Sequence, residues 1–178
     1  MNKKLEEALN NIEVNYHQLV DIANDSTSSQ FINANKLIEE LTEKINVLTV
    51  DQIRDYMLKL QLEAYHLSEI KDKSQLKADL AEALMKEKYA VTFNSLEGAA
   101  TVKDKLSQAE ISQEIVAETL CNLMASLFKT KVDQLHRLTD VLKSILMSRM
   151  QETKFMNQGI ADDINSYKTK KQLLMEGE

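Results

Sequence analysis

The sequence predicts an all-α fold of long amphipathic helices, packed as an antiparallel helical hairpin or bundle, and three observations carry that prediction. Proline is absent and glycine occurs three times in 178 residues, so the strongest helix breakers are almost missing. Aromatic residues make up 5% of the chain while Leu, Ala, Lys, Glu and Met abound, a balance that favours helix over sheet. Apolar side chains recur at steps of three and four, and no segment alternates strictly with period two.

The first helix is expected from about Asn2 to Ala23, where Leu5, Leu9, Ile12, Tyr16, Leu19 and Ala23 form one apolar stripe. Residues 24–30, NDSTSSQ, offer side chains that compete for backbone hydrogen bonds and predict a flexible joint. A second helix carries Phe31, Ala34, Ile38, Leu41 and Ile45. Thr49 opens a third, because its hydroxyl can cap free N–H groups while Gln52 reaches back in a capping box. Ile53, Met57, Leu60, Ala64 and Leu67 form its inward face.

Ser74 either starts a fourth helix or lies within a continuing one, with Leu76, Leu80, Ala83, Leu84 and Ala90 expected inward. That helix ends at Asn94 to Gly98. Glycine adopts a left-handed backbone at little steric cost, and Thr101 with Asp104 is a start signal for the next helix. From Thr101 to about Asn157 no breaker occurs, which predicts up to roughly 80 Å of helix with a bend of unspecified position. Its apolar side advances through Met124, Leu127, Val132, Leu135, Leu138, Leu142 and Ile145 at about 3.6 residues per turn, the period of a straight bundle helix. Gly159 is expected to stop it, leaving a short tail helix from Asp162 to Leu174. The organisation read from this is a helical pair at 1–48, a long-helix core at 49–158 and a short helix and tail at 159–178. Helices this long carry more apolar surface than one small bundle covers, which predicts a homo-oligomer.

Charge restricts the function. Residues 1–100 hold 11 basic and 17 acidic side chains, whereas 101–178 hold 11 of each, so the net charge of −6 belongs to the first half. The surface as a whole repels phosphate, and a nucleic-acid role needs a local patch. Cys121 stands alone, which excludes an intramolecular disulfide and suits a reducing compartment. The longest uncharged run, residues 119–128, is too short to cross a bilayer. A cytoplasmic protein without a membrane partner is expected.

The motifs of catalysis are weak. Glycine-rich phosphate loops and a GxSxG elbow are absent, and Cys121 lies in an apolar run that favours a buried small hydrophobe over a reactive thiol. Glu63 with His66, and Asp133 with His136, have the three-residue spacing used by di-iron bundles, which take further glutamates such as Glu87, Glu114 or Glu118. Such spacing arises by chance in glutamate-rich helices, and solvated pairs at a bundle edge are the default. No enzyme activity, cofactor or metal is expected.

Lysines are more suggestive. Lys71, Lys73, Lys77, Lys86 and Lys88 precede the glycine corner, and Lys103 and Lys105 follow it. Between Lys129 and Lys154 six basic residues face three acidic ones. In an antiparallel hairpin Lys86, Lys88, Lys103 and Lys105 gather at one end, with Tyr89 and Phe93 as the nearest stacking surfaces. The ordinary alternative is a solvated helix surface.

The run KEKYAVTFNSLEG, followed by a long helix closing with SRMQETK at 148–154, resembles the recombination mediators of T-even-type phages, the UvsY family. The resemblance spans about residues 60–157, with Lys86, Lys88, Tyr89 and Gly98 in one motif and Ser148, Arg149 and Lys154 in the other. The tyrosine-to-glycine stretch is longer here than in the family, and Glu97 stands where a small or basic residue would help a phosphate. The resemblance implies a non-enzymatic subunit of a ring in a phage-infected bacterial cell. It would bind single-stranded DNA and help a recombinase displace a single-strand-binding protein. Lys86, Lys88, Arg149 and Lys154 would contact phosphate, while Tyr89 and Phe93 stack on bases; the hairpin, apart from the resemblance, adds Lys103 and Lys105 to the candidate nucleic-acid-binding residues. The alternative is a helical adaptor, assembly chaperone or host-factor inhibitor that binds protein only.

Overall fold

The computed structural model describes the backbone of residues 3–175 and the side chains of residues 14–155 and 158. Helices succeed one another as α1 (Lys3–Ser28), a 3-10 turn (Ser29–Phe31), α2 (Ile32–Lys44), α3 (Val50–Ser95), α4 (Ala100–Glu110) and α5 (Ser112–Met175). No strand occurs among the described residues. The long helices α3 and α5 pack on each other, α2 covers the first part of α3, and α1 lies against α5. Contacts at both ends fix the pairing as antiparallel. Lys88, late in α3, meets Glu114 at the start of α5, while Arg149, late in α5, reaches Asn46 just before α3.

The capping box forms as its residues predict: Gln52 N–H donates to the Thr49 hydroxyl at 3.3 Å, and the Thr49 N–H donates to Gln52 Oε1 at 2.8 Å. The joint expected at residues 24–30 is instead helical. Ser26, Thr27 and Ser28 turn their hydroxyls back to carbonyls three or four residues earlier, and Thr27 is buried, so these groups are satisfied inside α1. The chain tightens only at the 3-10 turn beyond them. Tyr16 is exposed and not part of the buried stripe, while Ala23 is buried; Leu5, Leu9 and Ile12 fall outside the side chains described.

One core cluster joins α2, α3 and α5. Phe31, Leu41, Ile53, Leu60, Leu67, Phe128, Leu135 and Leu142 are all buried in it. The Phe31 and Phe128 rings meet edge to face at 5.1 Å, and Lys131 spans from α5 to α2, its Nζ 5.6 Å from the Phe31 ring centre and donating to Asn35 at 2.9 Å. Burial pushes the Lys131 ammonium below its ordinary pKa.

Ser74 lies inside α3, which runs unbroken to Ser95. Leu76, Leu80 and Leu84, expected to face inward, are exposed, as are Ala83 and Ala90. The inward series continues from Leu67 through Ser74 and Ala78 to Thr92, small side chains that fit between closely packed helices. Gly98 has φ +119, the conformation its place in the corner required. Space is not the reason for glycine there, since a Cβ would meet nothing within 4 Å.

The start signal at Thr101 is displaced: α4 begins at Ala100, its N-cap is Ala99, and no side chain caps it. The stretch from 101 onward is two helices, divided at Ile111. Ile111 is buried, and burying it turns the chain where no glycine or proline marks the place. At the other end α5 passes through Gly159 to Met175, so no separate tail helix forms. One glycine costs a helix roughly 1 kcal/mol relative to alanine, too little to stop it without a left-handed turn or a proline.

Candidate interaction surface

The glycine corner brings together six of the residues singled out in the sequence. Lys86 and Lys88 lie on the last turns of α3, Tyr89 and Phe93 come just after them, and Lys103 and Lys105 lie on α4. Their side chains are largely engaged with one another and with acids. Lys86 pairs with Glu82 one turn earlier, and Lys88 pairs across the hairpin with Glu114. Tyr89 Oη donates to Asp104 Oδ1 at 2.6 Å, which also receives a hydrogen bond from Gln108 at 3.2 Å. The Tyr89 and Phe93 rings stack at 5.8 Å and 27°, and Lys103 Nζ sits 4.9 Å from the Phe93 ring centre. Lys105 is exposed.

These contacts leave electrostatic marks. The hydrogen bond to Asp104, with burial and the charge of that carboxylate, raises the Tyr89 phenol above its ordinary pKa. The hydrogen bond from Lys88 holds the Glu114 carboxyl below its ordinary range, and that to Glu82 raises Lys86. The corner is therefore a fastening between α3, α4 and the start of α5, built from four of the six residues.

Arg149 and Lys154 are at the other end of the hairpin. Arg149 Nη2 donates to the Asn46 carbonyl at 3.2 Å, tying α5 to the connection between α2 and α3, and Lys154 is exposed beyond it. The 46 residues of α3 separate the two basic groups by roughly 65 Å, so they do not form one site within a chain. Glu63 is half-buried, while His66, Asp133 and His136 are exposed on their helices. No cluster of three or more His, Cys, Asp or Glu suited to a metal occurs among the described residues. Cys121 is half-buried, not buried, and lines a shallow recess with Ile70, Met124 and Phe128.

One further surface feature is one the sequence reading missed. Leu58, Leu62, Tyr65, Leu76, Leu80, Leu84 and Val91 are 55 to 70% exposed, and all lie on the side of α3 opposite its buried series. With Glu69, Lys73 and Glu87 they repeat at steps of four, three and four. That spacing returns every eleven residues, from Leu58 to Glu69, Leu80 and Val91, close enough to the helical turn that the line drifts only slowly around the helix. Thus α3 is apolar on two opposite sides, and α5 covers one of them. A groove of about 430 Å³ runs beside Leu62, bounded by Lys36, Leu37 and Glu40 of α2. The signal is present in the spacing, yet it points to the wrong side, because leucine outweighs the serine and alanine that face α5.

Comparison with protein-family models, with curated proteins and with solved structures returned no match. No helix among the described residues is long and apolar enough to cross a membrane.

Proposed function

We propose that this chain is a non-enzymatic helical interaction protein, an adaptor or assembly factor whose working surface is the outer side of α3. The observation that carries this reading is the uncovered apolar line from Leu58 to Val91, opposite a fully packed one. A line of leucines at helical spacing receives another amphipathic helix, because the gain from burying each side chain recurs along the whole seam. Within α3 seven basic and eight acidic side chains nearly balance, which biases the partner toward a helix of mixed charge.

A photo-crosslinking residue placed at Leu80 in the full chain tests it, with His136 on the outer surface of α5 as the control position. The expected result is a protein adduct at position 80 and none at 136. Absence of any adduct at 80 overturns the reading.

A second reading keeps one observation in its favour: the stacked Tyr89–Phe93 pair beside Lys103 and Lys105 at one end of the hairpin. In this reading the protein is a single-stranded-DNA-binding accessory of recombination, as the family resemblance implies, and acts as an oligomer alongside a recombinase. It ranks second because Lys86 and Lys88 are each paired with a glutamate, which offsets the charge they would offer to phosphate. A mobility shift on a single-stranded oligonucleotide at low salt, abolished by Lys103→Glu with Lys105→Glu, would promote it. No shift at low salt retires it.

A further inference from the structure

We infer that the partner covering the outer line of α3 is a second copy of this chain, packed antiparallel about a two-fold axis that passes beside the helix between Glu69 and Lys73. This rests on the reading of that line as a docking surface, and it adds the occupant, the direction and the register.

Charge decides the direction. Glu69 and Lys73 are the two charged residues in the middle of the line, both exposed, and neither holds an ion pair or hydrogen bond with another of the described residues. A parallel in-register pair sets Glu69 against Glu69 and Lys73 against Lys73, an arrangement of like charges that specific interfaces avoid. An antiparallel pair centred between them sets Glu69 of each copy against Lys73 of the other, twice over. The same residues that interrupt the apolar line in one chain thereby complete it in the pair.

Shape decides the register. With the axis at that point, Tyr65 meets Leu76 of the second copy, Leu62 meets Leu80, and Leu58 meets Leu84. From Leu58 to Leu84 each apolar step on one helix finds an apolar step on the other, while Glu87 and Val91 fall opposite Asp55 and Asp51, outside the seam. Sliding one helix by eleven residues preserves the spacing but presses Glu69 and Lys73 against leucines, leaving both charges desolvated without partners. The matched register also puts Leu80 of the second copy at the mouth of the groove between Leu62 and Leu37 of α2.

The surface available suits a stable pair. Six side chains from each copy, more than half exposed in the single chain, amount to roughly 600 Å² per copy and about 1,200 Å² in all, the lower end of the range for specific interfaces. The seam runs for about 40 Å, from Leu58 to Leu84. A two-fold contact of this kind closes on itself and leaves no repeat of the same surface open for further addition.

The test is the mass of the full chain in solution, by light scattering and sedimentation over a range of concentrations. The expected species has twice the chain mass of 20.3 kDa. Glu69→Lys alone and Lys73→Glu alone each place like charges at the axis and raise the dissociation constant roughly tenfold or more. The double exchange, E69K with K73E, restores the pair, a rescue that a merely unfolded variant does not produce. Helical circular dichroism of each variant identifies any loss of folding.

A single-chain mass at all concentrations overturns the inference, and so does a stable assembly larger than two. Failure of the double exchange to rescue overturns the direction and register. The photo-crosslink at position 80 separates this from the underlying reading. An adduct at twice the chain mass supports both. An adduct to a different protein, with the chain single in solution, retains the docking surface and removes the second copy. No adduct removes both.

Discussion

The two halves of the α3–α5 hairpin solve the same packing problem with opposite materials. In the half nearest α2, Phe31, Leu41, Leu60, Phe128 and Leu135 fill the space between three helices. In the half nearest the glycine corner the buried side chains are Ser74, Ala78, Thr92, Ser107 and Ala125, with Ile111 the one large residue among them. The large side chains of that half, Leu76, Leu80, Leu84, Val102, Leu106 and Val116 among them, face outward. Small residues let two helices approach closely, yet each contributes little apolar area. The difference teaches that the corner half draws its order from elsewhere: from helix continuity with the filled half, from the polar fastening at the corner, and, in our proposal, from a second copy.

The largest expected effect comes from hollowing the filled half. Phe128→Ala removes a fully buried ring and is expected to cost about 3–5 kcal/mol of unfolding free energy, and Leu135→Ala about 2–5 kcal/mol. Leu80→Ala, in the other half, is expected within about 0.5 kcal/mol of wild type at dilutions where the chain is single. Urea unfolding monitored by circular dichroism measures all three. If Leu80→Ala proves as damaging as Leu135→Ala in the single chain, the contrast between the halves is wrong.

The corner comes next. Gly98 holds φ +119 with open space where a Cβ would lie, so the penalty of Gly98→Ala is one of backbone strain alone. An expected loss of about 1–3 kcal/mol falls on the connection between α3 and α4. Native-state hydrogen exchange localises it: amides of α4 and the end of α3 lose protection while those near Leu60 and Leu135 retain theirs. Equal loss in both regions would mean that the hairpin opens as one unit.

The same contrast between the halves accounts for how much of the molecule is legible in its sequence. In the filled half, the predicted inward residues Ile53, Leu60, Ala64, Leu67, Leu135 and Leu142 are buried, because there large side chains do line the core side, even though Leu58, Leu62 and Tyr65 line the outer one. The capping box at Thr49 and the left-handed turn at Gly98 are readable because one local interaction determines each. In the corner half, size ceases to indicate direction, so the pattern turns Leu76, Leu80 and Leu84 the wrong way. The break at Ile111 has no breaker to announce it, and the hydroxyls of residues 26–28 suggest a joint although they bond back into their own helix. Of the candidate site, the gathering of basic and aromatic residues at the corner can be read from the hairpin. The pairing of Lys86 with Glu82 one turn earlier is a local helix spacing and is readable too; the engagement of Lys88 by Glu114 and of Tyr89 by Asp104 is not, because it depends on which helix faces are brought together.

The smallest effect tests the fastening by pH. The hydrogen bond from Lys88 holds the Glu114 carboxyl below the ordinary carboxylate range. A carboxyl whose folded pKa lies below its unfolded value adds stability that is complete above the unfolded value, about 4.3, and disappears as pH falls through the folded one. Tyr89 acts on the other side: its raised pKa favours the folded chain below about pH 10, and that contribution is lost as pH rises through the folded value. Between those limits the corner is at its firmest. Glu114→Gln cannot ionise, so the loss of protection that wild-type α3–α5 amides near the corner show on acidification below about pH 4.3 is expected to shrink in the variant. The ion pair is partly exposed, with Lys88 48% and Glu114 27% accessible, so the difference is small and diminishes as salt is added. Hydrogen exchange near residues 88 and 114, compared between the two proteins from about pH 5 to about pH 3, measures it, with the filled half as internal reference. Identical acid profiles would show that the hairpin does not depend on this pair, and the polar fastening would then reduce to the Tyr89–Asp104 bond alone.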